Sequence, residues 1–327
     1  MDHPDRIFSI RTQKEFRQTA LEIFQYQAAN NKVYNLFLKS LGKDYRVIRH
    51  LREIPFMPAE FFRTHKIIIE NKEAEVVFES SATSGATPAR HYVHDPKIYA
   101  TSFLKNFAIV YGNPSQYMIS ALLPSYQERG NSSLVFMMDR LIKESGHPLS
   151  GFYKNNLDEL LSNIDKARSE NQKVILLGVS FALLDLAEKY SPDLSGVIVM
   201  ETGGMKGRRK EITREELHGI LKNRFNVGEI HSEYGMTELM SQAYSTGNGI
   251  FNAPPWMKIL IRDPRDPLSI IDEEMATGGL NIIDLANVYS CSFISTGDLG
   301  RLHRDGSFEV LGRFDGSEIR GCNLMVE

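Results

Sequence analysis

Cysteine is nearly absent from this chain. Its 327 residues contain Cys291 and Cys322, too few for a disulfide scaffold and suited to a reducing compartment. Long apolar runs are missing too. None reaches the roughly 18 residues a membrane-crossing helix needs, so no membrane insertion is expected. The N-terminal stretch from Met1 to Phe16 has no apolar h-region and does not read as a signal peptide. Neither sign of charge dominates. A formal net charge of −3 argues against nucleic acid as a partner, since a phosphate backbone calls for a basic surface, and leaves room for a local basic pocket. These absences point to a soluble, cytoplasmic protein. Internal repeats and low-complexity tracts are also lacking. The length allows one large or two ordinary domains with a sizeable core.

The pattern that is present changes along the chain. Thr12-x-x-Glu15 resembles a capping box. Beyond it Phe16, Ala20, Ile23, Phe24, Tyr34, Phe37, Leu38 and Leu41 recur at helical spacing, which predicts helices broken near Asn30-Asn31. Prolines at 55 and 58 end that region. Short apolar runs then alternate with amphipathic stretches. Strands are expected at Val76 to Phe78, Tyr117 to Leu122, Val174 to Leu177, Val197 to Met200 and Glu229 to His231. Helices are expected at Lys97 to Ile109, Ser133 to Lys143, Leu157 to Ser169, Phe181 to Tyr190 and Arg214 to Arg224. Such alternation predicts a parallel α/β sheet. After Pro254-Pro255 the helical pattern stops. Met257 to Ile261, Gly279 to Asp284, Ser292 to Ser295 and Phe308 to Leu311 read as β, a smaller subdomain. The expected organisation is therefore a helical region over 1–75, part of the main domain, an α/β body over 76–255, a β subdomain over 256–312 and a hinge-like tail over 313–327.

Several motifs can carry chemistry. Ser80-Ser-Ala-Thr-Ser-Gly-Ala-Thr-Pro88 follows an expected strand. Its backbone N–H groups and hydroxyls can wrap a polyphosphate, although no Gly-Lys-Ser/Thr makes it a Walker A loop. Tyr234-Gly-Met-Thr-Glu238 offers a ring to stack on a base, a hydroxyl for a phosphate and a carboxylate for Mg²⁺. Thr202-Gly-Gly-Met-Lys206 puts two glycines at a strand's end, where a ligand can approach the backbone, and Lys206 could meet a carboxylate or phosphate. Asp298, in Thr296-Gly-Asp298, can accept two hydrogen bonds from a ribose diol. Taken singly, each also reads as an ordinary turn, capped helix start or solvated basic run. Cys291 lies in an apolar-alternating run and reads as structural. His91 and His94 flank the Ser/Thr loop but lack a third ligand for zinc.

The motifs gain meaning from their shared order. With Gly312-Arg-Phe-Asp315 and Ile319-Arg-Gly-Cys-Asn323, they resemble the adenylate-forming (acyl-AMP) enzymes from the phosphate loop to the hinge, over roughly Ser80 to Glu327. Ile54-Pro-Phe-Met-Pro-Ala-Glu-Phe-Phe62 and the Thr202 loop resemble one branch, the acyl-protein synthetases of luminescence fatty-acid reductase complexes. The resemblance implies the large N-terminal-type α/β domain of that superfamily, without its mobile C-terminal domain. It implies ATP and Mg²⁺ as cofactors and a carboxylic-acid substrate. It places Ser80, Ser81, Thr83, Ser84, Gly85 and Thr87 on the phosphate loop, and Gly203 and Gly204 beside adenine. It places Tyr234, Gly235, Met236, Thr237 and Glu238 on the motif that stacks adenine, touches the α-phosphate and holds Mg²⁺. Asp298 becomes the ribose ligand and Arg313 the hinge arginine.

Two departures stand out. Ala82 replaces the first glycine of the usual loop, and no lysine follows it at the common place. Lys206 is a candidate to replace the lysine of the C-terminal domain. Cys322 falls on the acyl-carrying cysteine of the acyl-protein synthetases. The expected activity is that of an AMP-forming acid–thiol ligase: acyl-AMP formation from a carboxylic acid, expected to be a fatty acid, transfer to Cys322 as a thioester, and handover to an acyl-CoA reductase-like partner. Two alternatives stay open: an acyl- or aryl-CoA ligase of the phenylacetate–CoA ligase type, and a non-catalytic nucleotide-binding domain.

Overall fold

The computed structural model describes residues 4–81, 87–123, 130–154, 156–204, 209, 212–273 and 275–314. A 3₁₀ turn (Pro4–Ser9) precedes α1 (Gln13–Asn30) and α2 (Lys32–Ser40). Two short pieces follow, β1 (Met57–Pro58) and α3 (Phe61–Thr64). Strands β2 (Val76–Glu79) and β3 (Arg90–Val93) lead into α4 (Pro96–Tyr111). An alternating stretch holds β4 (Tyr117–Leu122), α5 (Ser133–Ser145), β5 (Gly151–Phe152), α6 (Leu157–Ser169) and β6 (Lys173–Val179). It continues through α7 (Ser180–Tyr190), β7 (Ile198–Thr202), α8 (Arg214–Phe225) and β8 (His231–Tyr234). The rest is mostly β: β9 (Ala243–Ser245), β10 (Ile250–Phe251), β11 (Met257–Arg262), β12 (Ile270–Ile271), β13 (Thr277–Asp284), β14 (Phe293–Leu302) and β15 (Phe308–Arg313).

The chain divides into two compact units, each discontinuous in sequence. The first comprises Met1–Lys105, Met236–Gln242 and Asn252–Gly316; the second comprises Asn106–Gly235, Ala243–Phe251 and Ser317–Glu327.

In the first unit an antiparallel sheet runs β15-β14-β13-β11-β12, with β1 parallel to the start of β14. The Thr12–Glu15 capping box forms and starts α1. Phe16, Ala20, Ile23, Phe24 and Gln27 share the helix's buried face, as their spacing requires. Gln27 is buried because its amide is matched: Nε2 donates to the Asn287 and Val288 carbonyls at 2.9 and 3.0 Å, and Oε1 accepts from Ser292 N at 2.9 Å. Asn31 stops α1 and caps α2, its side chain accepting from Tyr34 N. Rings of Phe24, Tyr34, Phe56 and Phe293 pack together beneath the sheet. Cys291 is fully buried here, and burial pushes its thiol up to about 12, which leaves it inert.

The second unit is a parallel sheet, β5-β4-β6-β7-β8, with β9 antiparallel on β8. Every residue of β4 is buried, as is β6 beyond Lys173. That double-sided burial explains why both read as continuous apolar runs. Leu160, Ile164, Leu183, Leu186, Leu217 and Leu221 cover the sheet from α6, α7 and α8. Leu183 and Leu184 belong to this core, so the apolar stretch around them is a buried helix start. Among the described residues no helix is long and apolar enough to cross a membrane.

Three expectations need correction. Val76 to Phe78 does not join the parallel sheet. It pairs antiparallel with β3, a strand the periodicity did not reveal, so the Ser/Thr loop links two strands of a hairpin rather than a strand and a helix. Polar Arg90 and His91 masked β3, whose inward residues are His91 and Val93. The strand expected at Glu229 to His231 lies instead at His231–Tyr234, because the polar side chains of His231, Ser232 and Glu233 find buried partners. The strand expected at Ser292 to Ser295 extends to Leu302, so Thr296-Gly-Asp lies inside a strand.

Candidate functional site

In the second unit, chemistry gathers at the carboxyl ends of β7 and β8, where ligands bind in open α/β sheets. Gly203 has φ +70°, a left-handed backbone that favours glycine. Ser180 Oγ lies 3.0 Å from both the Gly203 carbonyl and Glu201 Oε2, which holds the loop's first turn against α7. Burial alone would raise the Glu201 carboxyl. His218, Arg214 and Ser232 outweigh it and hold the group below its ordinary value. Thr202 Oγ1 donates to Glu233. Tyr234 ends β8 with its ring edge-on to Phe251 at 5.9 Å, and the Arg214 guanidinium lies 5.0 Å from the Phe251 centroid. Gly204 and Gly235 are exposed. Arg209, from the basic run, is bound to Asp185 and Glu188 on α7. Lys206 lies outside the described residues.

The first unit holds Glu238 and Asp298. Glu238 is only 7% exposed. Burial pushes its carboxyl up to about 7; Asp298 adds to this, while the charges of Arg63 and Arg313 oppose it. Asp298 and Arg313 stand opposite each other in the β14–β15 register, and Arg313 Nε lies 3.3 Å from Asp298 Oδ1. The two residues assigned to ribose and hinge therefore form one pair. Asp298 N also donates to Thr296 Oγ1 at 3.1 Å. At the hairpin's mouth, Ser80 N donates to the Ala89 carbonyl at 3.0 Å and Ala89 N donates to Ser80 Oγ at 2.9 Å. Ser81 and Thr87 are exposed beside it. Thr83, Ser84 and Gly85 lie outside the described residues, as does Cys322.

Sequence reasoning missed the supports of this turn. Asp284 accepts from Met240 N at 2.7 Å, Ser241 Oγ at 2.6 Å and Ala286 N at 3.2 Å. Burial pushes its carboxyl up to about 6 despite those bonds. Trp256 Nε1 donates to Ser102 and Ser241. Asn287 Nδ2 donates to the Glu238 carbonyl at 2.7 Å, and His91 reaches the Thr237 carbonyl. Two of them left a trace in the sequence: Asp284, as a carboxylate closing an apolar strand, and His91, which stood out beside the Ser/Thr loop but only as a poor zinc ligand.

Among the residues assigned to this site, Glu238 is the buried carboxylate a metal would find; Asp284, buried as well, is taken up by its three donors. Among the described residues no three His, Cys, Asp or Glu side chains cluster as ligands. One carboxylate plus substrate phosphate oxygens is an ordinary Mg²⁺ environment, and a nearby cation would return Glu238 to its ionised form. The residues therefore fit Mg²⁺ held jointly with a polyphosphate.

No family model matches the chain, and no curated protein matches it. Solved structures do. A 2-hydroxyisobutyryl-CoA ligase in the postadenylation state, in complex with 2-HIB-AMP, aligns over 92% of this chain and 68% of its own, with TM-score 0.66 and 14% identity. ATP-bound MatB from Rhodopseudomonas palustris aligns over 75% of this chain with TM-score 0.53 and 16% identity. AMP-bound o-succinylbenzoate coenzyme A synthetase (MenE) from Bacillus subtilis aligns over 76% of this chain and 64% of its own, with TM-score 0.50 and 15% identity. The chain spans about half the MatB chain, 49% of it. Likeness at such identity is likeness of fold: this chain has the α/β fold of the large domain of adenylate-forming ligases.

Proposed function

We propose that this chain uses ATP to activate a carboxylic acid as acyl-AMP. The observation that carries the reading is Glu238, a buried carboxyl held near 7 on the Tyr234–Glu238 motif of an adenylate-former fold. An acid carboxylate attacks the α-phosphorus, a P–O bond forms, and the bond to the β-phosphate oxygen breaks to release pyrophosphate. In this reading Tyr234 stacks on adenine, Thr237 faces the α-phosphate, and the Ser80–Thr87 loop holds the polyphosphate. Bound Mg²⁺ would offset charge on the phosphates, with Glu238 as its protein ligand. Asp298 holds the ribose diol, and releases Arg313 from their pair when it does.

In the second half-reaction the Cys322 thiolate attacks the acyl carbon, a thioester forms and AMP leaves. The acyl group then passes to a reductase-like partner. The fatty-acid substrate, this cysteine and the partner rest on the sequence resemblance. A second reading, release to coenzyme A, is favoured by the names of two similar structures, a 2-hydroxyisobutyryl-CoA ligase and an o-succinylbenzoate coenzyme A synthetase. Intact-protein mass together with analysis of the small-molecule products, after incubation with ATP, Mg²⁺ and a panel of carboxylic acids with and without coenzyme A, separates them. A covalent acyl adduct supports the first; acyl-CoA formed on an unmodified chain supports the second.

Asp298→Ala tests the nucleotide geometry. Removing hydrogen bonds to a charged acceptor typically costs about 1.5–3 kcal/mol, so ATP affinity should fall about 10-fold or more. Calorimetry with an unchanged ATP affinity would remove Asp298 from the site.

A further inference from the structure

The loop expected to hold the polyphosphate and the turn that carries Glu238 are far apart in sequence, yet one side chain joins them. His91 sits on β3, just past the mouth of the Ser80–Pro88 loop, and pairs across the hairpin with Phe78. It is 1% exposed. Its Nδ1 lies 2.8 Å from the carbonyl of Thr237. A carbonyl only accepts, so Nδ1 carries the proton. Burial holds the imidazole down to about 4, against the opposing pull of the Thr237 carbonyl and Asn287, so the ring is neutral at neutral pH. The next carbonyl, that of Glu238, accepts from Asn287 Nδ2 at 2.7 Å. Two consecutive carbonyls of the motif are thus fixed from outside, one by the loop's own hairpin.

The imidazole is itself held in place. Phe62 and the imidazole pack edge to face, with centroids 5.4 Å apart and planes at 85°. Phe62 closes the Ile54–Phe62 motif. That segment also runs beside β14, where Met57 and Pro58 pair with Ile294 and Ser295 and Ala59 N donates to the Ser295 carbonyl. The motif therefore braces both the strand that carries Asp298 and the ring that touches Thr237.

We infer that His91 is a positioning residue: it ties the β2–β3 hairpin to the turn bearing Glu238, and so fixes where the metal carboxylate stands relative to the mouth of that hairpin at Ser80 and Ala89. The inference rests on the ATP reading above, and its ligand class is a divalent cation bound to a polyphosphate. Loss of an outer-shell support of this kind typically costs roughly 10–100-fold in metal affinity or activity.

The test compares wild type with His91→Ala, His91→Asn and His91→Gln in the full chain. An Asn amide can place an N–H where Nδ1 stands; a Gln amide reaches toward the Nε2 position. The readout is acid-dependent exchange of pyrophosphate into ATP, with Mg²⁺ and the acid titrated separately. H91A and H91Q should raise the KM for Mg²⁺ roughly 10–100-fold while leaving the KM for the acid unchanged, and H91N should restore most of the loss. Wild-type Mg²⁺ dependence in H91Q, or a parallel rise in both constants, would overturn the role. The imidazole ¹⁵N spectrum of the wild type decides it without any variant. A neutral ring protonated at Nδ1 is expected at pH 7, and one protonated at Nε2 would overturn the contact. If the wild type neither exchanges pyrophosphate nor binds ATP, the nucleotide reading falls, while the spectrum still reports separately on the tie between hairpin and turn.

Discussion

Glu238→Gln should abolish activity and stabilise the fold at the same time. Glutamine keeps the shape and removes the charge that would hold Mg²⁺, so acid-dependent pyrophosphate exchange should drop roughly 100-fold or more. The stability effect follows from linkage. The folded chain keeps the Glu238 proton up to about 7, whereas the unfolded chain releases it near 4.5. Between those values the folded state binds more protons, so this group's stabilisation is complete below about 4.5 and is lost as pH rises through about 7. A shift of this size corresponds to about 3 kcal/mol, as an order of magnitude. The mutant has no carboxylate to bury, so thermal unfolding should show it more stable than wild type at pH 8 and similar at pH 5. An equal pH response in both proteins would show that Glu238 does not titrate as its burial requires. Wild-type exchange in the mutant would remove Glu238 from the metal's ligands.

Cys322→Ser should abolish self-loading without abolishing activation. A free thiol titrates near 8.5, so only a few per cent is thiolate at neutral pH, and a neighbouring cation such as Arg320 would increase that share. The wild type should yield a hydroxylamine-labile acyl adduct that maps to Cys322. The mutant should yield none, yet still form acyl-AMP and exchange pyrophosphate, because the thiol acts only after the adenylate exists. Cys291 serves as the internal control. Its burial and raised thiol pKa make it unreactive in the folded chain. A label on Cys291, or acyl-CoA formed while Cys322 stays unmodified, would reject self-loading.

The features legible in the amino-acid sequence are local or ordered ones. The face of α1, the capping box at Thr12 and Glu15, the break at Asn31 and the apolar strands β4 and β6 all follow from spacings of a few residues. The motif order from Ser80 to Arg313 points to an adenylate-forming fold, and the fold agrees. Hydrophobic periodicity says which face is buried but not which partner it meets. His91 and Thr237 are 146 positions apart, Glu238 and Asn287 are 49 apart, and Met240 and Asp284 are 44 apart. The polar side chains among them, His91, Asn287 and Asp284, look in sequence like groups that solvent would satisfy. Tertiary structure alone made them interior groups, because the backbone they pin is buried and its carbonyls and amides need partners there. Asp298 and Arg313, which are not interior, were likewise named separately by the motifs, and only the β14–β15 register placed them face to face. The sequence by itself thus set the elements and the inventory of reactive groups. The fold decided which groups touch, because register and long-range packing depend on the whole chain rather than on neighbours a few residues away.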